Sequence, residues 1–283
     1  LTFESRLYTF LDEAREFALY FLEGQRLIEE IAVRTAVTGA GFAYFRDAVL
    51  SVQPMIALVK RGEQFGFYID GEAPRFRLKV ETAHHGDMRC AIVPAEFQEF
   101  PEGVRGLVRL LKLFPGGRPP YESVLELDGT PLREIVNLVL KHSYQVHCAV
   151  LVSQSSDQSA MLHQLPPIQG REEYVYSMGA LWSRREALEK ELEPLFARAL
   201  GRPEEIREAF ARLGFHPLAD RPVRFRCSCS RERMVRNIRS LANVEPGSLF
   251  DPGQESLEVV CEYCKARYEI GRLEVTGPPD ALH

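Results

Sequence analysis

Four of the six cysteines in this 283-residue chain fall in two close pairs, Cys227-x-Cys229 and Cys261-x-x-Cys264, with 31 residues between them. Two thiol pairs brought together by a chain reversal make a closed, four-sulfur tetrahedral site, which suits zinc. As thiolates the same sulfurs are nucleophiles toward peroxide or hypochlorous acid. The opening segment LTFESRLYTFLDEAREF carries acids early and has no basic stretch leading into an apolar run, so it does not read as a secretory signal. A cytoplasmic, thiol-reducing location is therefore expected, where paired cysteines serve as metal or redox groups rather than structural disulfides. Cys90 and Cys148 stand alone and read as small core residues.

The residues around the two pairs specify how they are to be held. Ser230 can cap a helix whose apolar positions are Met234, Val235, Ile238 and Leu241. Ser256–Val260 leads into the second pair and Ala266–Ile270 leads out, a hairpin with Cys261 and Cys264 at its turn. Residues 223–283 hold too few apolar side chains to be stable alone. Structural zinc would supply much of their folding free energy, on the order of 10–16 kcal/mol in small zinc-finger peptides. Metal and fold should come and go together in this segment.

Upstream, the first fifty residues read as mainly helical, with Leu7, Phe10, Leu11, Ala14, Phe17 and Ala18 as the apolar stripe. From about residue 53 the period switches to strands: 55–60, 64–69, 75–81 and 107–114, of which Arg75–Glu81 alternates strictly. Thr130-Pro131 opens a helix buried through Leu132, Ile135, Val136 and Val139, and Val146–Val152 returns to strand before a polar loop at Gln154–Ser159. The predicted class is α+β: residues 1–170 form a domain with a largely antiparallel sheet and helices, 171–222 a helical linker, and 223–283 a small zinc-binding domain.

In the linker, Tyr174, Leu181, Leu188 and Leu195 fall seven apart, with Met178, Leu192 and Ala199 as companions, and Glu, Arg and Lys crowd the opposite face. A second helix follows from Pro203 to Leu213. Such a seam must lie on something. Either it belongs to a helical hairpin docked on the first domain, or it is a switchable surface that is covered in one state and bare in another.

Composition excludes several classes. With 45% hydrophobic and 27% charged residues the chain is globular, and no apolar run approaches the roughly 18 residues of a membrane helix. A formal charge of −5 gives no general attraction to nucleic acid or anionic lipid.

Arg224-Phe225-Arg226-Cys227-Ser228-Cys229-Ser230-Arg231-Glu232-Arg233, with Cys261-Glu262-Tyr263-Cys264 and Tyr268 downstream, resembles the hallmark of the 33 kDa heat shock protein family of redox-regulated holdase chaperones. Weaker similarity runs through Gly71–Pro74, Met88-Arg89, Tyr121–Gly129 and Met161–Pro166, while Arg89-Cys90 stands where the family usually carries Arg-Gly. The resemblance implies an ATP-independent chaperone, with residues 1–170 as its substrate-binding domain, that is inactive when reduced and zinc-bound. Oxidation would form disulfides among Cys227, Cys229, Cys261 and Cys264, release zinc and unfold the C-terminal domain. The exposed seam of Tyr174, Met178, Leu181, Trp182, Leu188 and Leu195 could then hold unfolded client proteins or pair with a second protomer. The family further implies a homodimer when oxidised and transfer of clients to an ATP-dependent refolding chaperone system.

Two rivals stand beside this reading. Arg221, Arg224, Arg226, Arg231, Arg233, Arg236 and Arg239, with Glu232 the one acid among them, could contact phosphates as part of a zinc-ribbon-like nucleic-acid module, although Phe225 alone is available for stacking. An enzyme is less favoured still. His84-His85 with Asp87 reads as a polar turn, His142 sits at a helix end, and His147 and Cys148, adjacent in a strand, point to opposite faces. Cys261-x-x-Cys264 does not open a helix in a thioredoxin-like setting. No catalytic residue is expected.

Overall fold

The structure is a computed structural model that describes residues 3–14, 16–35, 37–95, 100–167, 175–244 and 249–276. It divides into two compact units, Leu1–Phe225 and Arg226–His283.

The first unit begins with β1 (Arg6–Asp12), β2 (Phe17–Glu23), α1 (Gln25–Arg34) and α2 (Gly39–Val52), followed by a short 3-10 helix, Gln53–Leu58. Then come β3 (Gln64–Glu72), β4 (Arg75–Ala83), β5 (Asp87–Val93), β6 (Val104–Leu113) and β7 (Tyr121–Thr130). After α3 (Leu132–Val139) and one π-turn lie β8 (Cys148–Val152) and β9 (Gln158–Gln164). The unit closes with α4 (Met178–Arg198), α5 (Pro203–Arg212), β10 (Phe215–Pro222) and β11 (Arg224–Phe225).

Two sheets result, one ordered β10-β1-β2-β9-β8 and the other β11-β5-β4-β3-β6-β7. Every strand pairing within them is antiparallel except the short β11–β5 contact. The α+β reading with a largely antiparallel sheet is thus the observed class. In β4 the strict alternation buries Phe76, Leu78, Val80 and Thr82 and leaves Arg75 and Arg77 in water. The helices α2 and α3 and the 3-10 helix lie between the two sheets, while α4 and α5 cover the opposite face of the five-stranded one.

Three expectations for this unit are corrected. Leu7, Phe10 and Leu11 lie on β1 and Phe17 and Ala18 on β2, not on an opening helix, and Ala14 lies in the turn between the strands. The reason is burial on both faces: β2 is covered above and below, so its sequence Phe-Ala-Leu-Tyr-Phe-Leu lacks the alternation that marks a half-exposed strand. Residues 55–58 are a 3-10 helix started by Pro54, whose fixed φ suits a first helical turn. Finally, β10 was not foreseen, because Pro217 and Pro222 lie in it and proline is confined to sheet edges, which is where β10 sits.

The second unit is smaller. It comprises α6 (Arg231–Val244), an antiparallel hairpin of β12 (Ser256–Val260) and β13 (Arg267–Gly271), and the single-turn α7 (Arg272–Thr276).

Candidate metal centre

The second unit has little apolar material to hold it. Its cluster consists of buried Val235, Ile270 and Val275, with Met234, Ile238, Ala242, Phe250, Val259 and Tyr268 partly buried around them. Three covered aliphatics fall well short of a self-sufficient core, so a cross-link is needed. The predicted helix and hairpin both form, with one correction to the helix stripe. Leu241 is 54% exposed, and Ala242, four residues beyond Ile238, takes the inward position.

Local hydrogen bonds fix where the cysteines project. Ser230 Oγ accepts from the Arg233 N–H at 3.3 Å, starting α6 directly after Cys229. At the hairpin turn the Lys265 N–H donates to the Cys261 carbonyl at 2.9 Å, and the Cys261 N–H donates to the Ala266 carbonyl at 2.8 Å. Lys265 holds φ at +60°, the left-handed conformation that lets so tight a loop close. The far end is tied by Glu274, which accepts from Arg231 (2.6 Å at one oxygen) and from the Gly271 N–H at 2.8 Å.

These elements bring the four sulfurs within 4.8 Å of one another. Cys227 and Cys261 lie 3.7 Å apart and Cys229 and Cys264 3.2 Å apart, all as free thiols. A tetrahedral zinc site with bonds of about 2.3 Å has sulfur–sulfur edges of about 3.8 Å. The donor set therefore fits a soft, four-coordinate metal ion, and the four cysteines could hold one.

The sulfurs are not equivalent. Burial pushes the Cys227 thiol up to about 12 and raises Cys264. For Cys229 burial also pushes upward, but hydrogen bonds from the Tyr268 hydroxyl and from neighbouring thiols outweigh it and hold the group at about 7. The Tyr268 hydroxyl donates to Cys229 Sγ at 3.1 Å. Tyr268 was noted in the sequence only as part of a motif. Its place on β13, four residues past Cys264, is the one signal that could have pointed to a sulfur contact.

The linker seam lies elsewhere. Leu181, Leu188, Leu192 and Phe196 are buried in the cluster formed by Tyr8, Phe10, Leu19, Phe21, Leu162, Phe210 and Phe215 of the first unit. Met178, Trp182 and Leu195 pack partly buried against the same cluster, and Tyr174 falls outside the described residues. The seam is thus covered by the first unit's own five-stranded sheet.

The arginines of 221–239 are largely committed to the protein. Arg221 donates to the carbonyls of Ile56 and His84, Arg224 pairs with Asp87 at 2.7 Å, Arg231 with Glu274, Arg233 with Ser228, and Arg239 with the Glu274 carbonyl. His85 pairs with Asp87 at 3.0 Å, as a polar turn requires, and His147 contacts the Gln164 side chain while stacking on Tyr176. Cys90 and Cys148 are buried, and that burial pushes both thiols far up, away from reactivity. No helix among the described residues is long and apolar enough to cross a membrane.

Comparison with known proteins places these features in a family. A family model described as "Hsp33 protein" matches residues 5–271. A 33 kDa chaperonin of Shewanella woodyi is 29% identical over 261 residues, covering 89% of this chain and 82% of that protein. One from Geobacter sp. is 27% identical over 233 residues, 76% of each chain, and one from Syntrophotalea carbinolica is 25% identical over 266 residues, 88% and 90% of the two. The crystal structure of the 33 kDa chaperonin of Thermotoga maritima superposes with a TM-score of 0.68 at 15% identity, over 96% of this chain and 97% of that one, so the fold is shared end to end. The chain belongs to the Hsp33 family of chaperones.

Proposed function

We propose that this chain is a redox-regulated, ATP-independent holdase, inactive while its thiols are reduced and hold zinc, and activated by oxidation. The observation that carries this reading is the convergence of Cys227, Cys229, Cys261 and Cys264 within 4.8 Å in a unit whose apolar cluster, among the described residues, is built on Val235, Ile270 and Val275. Bound there, zinc would cross-link α6 to the hairpin turn and supply the stability the small cluster lacks. The need for reduced thiols in the resting state supports a cytoplasmic location.

In the switch, one thiolate attacks peroxide: an S–O bond forms, the O–O bond breaks, and the departing hydroxide is protonated to water. A second thiolate then attacks the resulting sulfenic acid, forming an S–S bond and expelling hydroxide, which takes up a proton. Two electrons leave the sulfur pair and the peroxide ends as two waters. Pairing Cys227 with Cys229 and Cys261 with Cys264 would remove all four thiolate ligands, and the tail, without its cross-link, would unfold.

Functionally the chain is then read as a client-binding core (1–170), a linker (171–222) and a switch (223–283). The linker seam is buried on the five-stranded sheet, so loss of the tail would have to be followed by opening of α4 and α5 before Met178, Leu181, Trp182, Leu188 and Leu195 could bind clients. An oxidised dimer and hand-over of clients to an ATP-dependent refolding chaperone complete the proposal. Engagement of the arginines with Asp87, Glu274 and backbone carbonyls disfavours the nucleic-acid alternative. The test is light scattering from a heat-denatured client, without nucleotide. Oxidised protein should suppress aggregation at near-equimolar amounts and reduced protein should not. Equal protection by both forms would refute the redox control.

A further inference from the structure

We propose that Tyr268 is a positioning residue of the sulfur site, donating its hydroxyl hydrogen to Cys229 so as to strengthen metal retention and restrain oxidation of that one sulfur. The inference rests on the zinc-thiolate reading above. Tyr268 lies on β13 opposite Val259, with its ring packed in the cluster of Val235 and Ile270, so the phenol is aimed by the same apolar contacts that hold the unit together. Its oxygen stands 3.1 Å from Cys229 Sγ, within hydrogen-bonding reach of a sulfur. Cys229 also lies 3.2 Å from Cys264, the shortest sulfur–sulfur approach given above.

An outer donor to a ligating sulfur acts in two ways. It fixes the ligand's orientation and stabilises its negative charge against protons, and loss of such partners typically lowers metal affinity roughly 10–100-fold. It also draws electron density from the sulfur, and a less basic thiolate attacks an oxidant more slowly. In the attack on peroxide the Cys229 sulfur gives two electrons to form the S–O bond as the O–O bond breaks and hydroxide leaves as water. A donor that occupies a lone pair on that sulfur opposes the step. Tyr268 would therefore set a threshold, keeping the switch closed at low peroxide.

The test compares the full-length wild type with Tyr268→Phe, which keeps the ring and its packing. Three quantities are read: zinc content after purification, the rate of peroxide-driven zinc release followed with a chromogenic chelator, and the order in which the four cysteines are modified, mapped by mass spectrometry. The variant should bind zinc about tenfold more weakly and release it about threefold faster, with Cys229 moving from late to early in the order of modification. Val235→Ala loosens the same cluster without touching the hydroxyl, and should speed modification of all four alike. Unchanged release and an unchanged order in Tyr268→Phe, with zinc present in the wild type, overturn the proposal and leave the switch standing. A wild type without zinc overturns both. Should Tyr268→Phe accelerate all four sites as Val235→Ala does, the residue is a packing element and nothing more.

Discussion

Glu23 is 3% exposed at the end of β2, with one oxygen accepting the Gln25 N–H at the start of α1 at 3.0 Å. Burial raises its carboxyl from 4.5 to about 7. Between those values the unfolded chain has lost the proton and the folded chain keeps it, so stability falls as pH rises through this window. A shift of this size corresponds to destabilisation on the order of 3 kcal/mol above pH 7. Glu23→Gln keeps a carbonyl acceptor for Gln25 and removes the charge. Thermal melts of the first unit should show the variant more stable than wild type at pH 8 and nearly equal at pH 4. A variant melting lower at pH 8 would contradict the assignment. The cysteines divide just as sharply. Alkylation of native protein after chelation should reach Cys227, Cys229, Cys261 and Cys264 and spare Cys90 and Cys148, which are buried among apolar neighbours. A Cys261→Ser, Cys264→Ser variant should lose the metal and all redox dependence together, as read by zinc content and by client aggregation before and after peroxide.

At the scale of elements, α4 is the part whose position constrains the mechanism most. Leu181, Leu188 and Leu192 are buried on the five-stranded sheet, so freeing the helix exposes several large aliphatics at once, each contributing about 1.5–3 kcal/mol of burial. Leu188→Ala should destabilise that docking by about 2–5 kcal/mol. After oxidation such a variant should hold clients at a lower temperature than wild type, measured as the onset of aggregation suppression on warming. An onset equal to or above that of wild type would separate the seam from client binding. The heptad spacing of Leu181, Leu188 and Leu195 was legible because a long amphipathic helix declares its stripe. The surface beneath it was not, because β2 is covered on both faces and neither it nor β1 carries the alternation that marks a half-exposed strand. The edge strand β10 was hidden by its two prolines.

For the whole molecule, the division into Leu1–Phe225 and Arg226–His283 separates a unit with two sheets and a broad apolar core from one with a small apolar cluster and four converging sulfurs. The convergence of those sulfurs was readable from the sequence, since residue type and spacing are local and chemically restrictive. The capping of α6 by Ser230 and the hairpin around Cys261 and Cys264 followed from equally local signals. The Tyr268–Cys229 contact was not readable, because it requires the hairpin register and the packing of α6 to be known first. The proposed dependence of the second unit on metal has a direct consequence, which hydrogen exchange with peptide resolution measures on full-length protein before and after peroxide, with zinc counted in the same samples. One zinc per chain is expected at the start. Peroxide should then cause metal loss with collapse of protection throughout 226–283, while the strands β1 to β9 stay protected. A chain that carries no zinc when reduced, or one whose tail keeps its protection after the metal has gone, would contradict the proposed dependence.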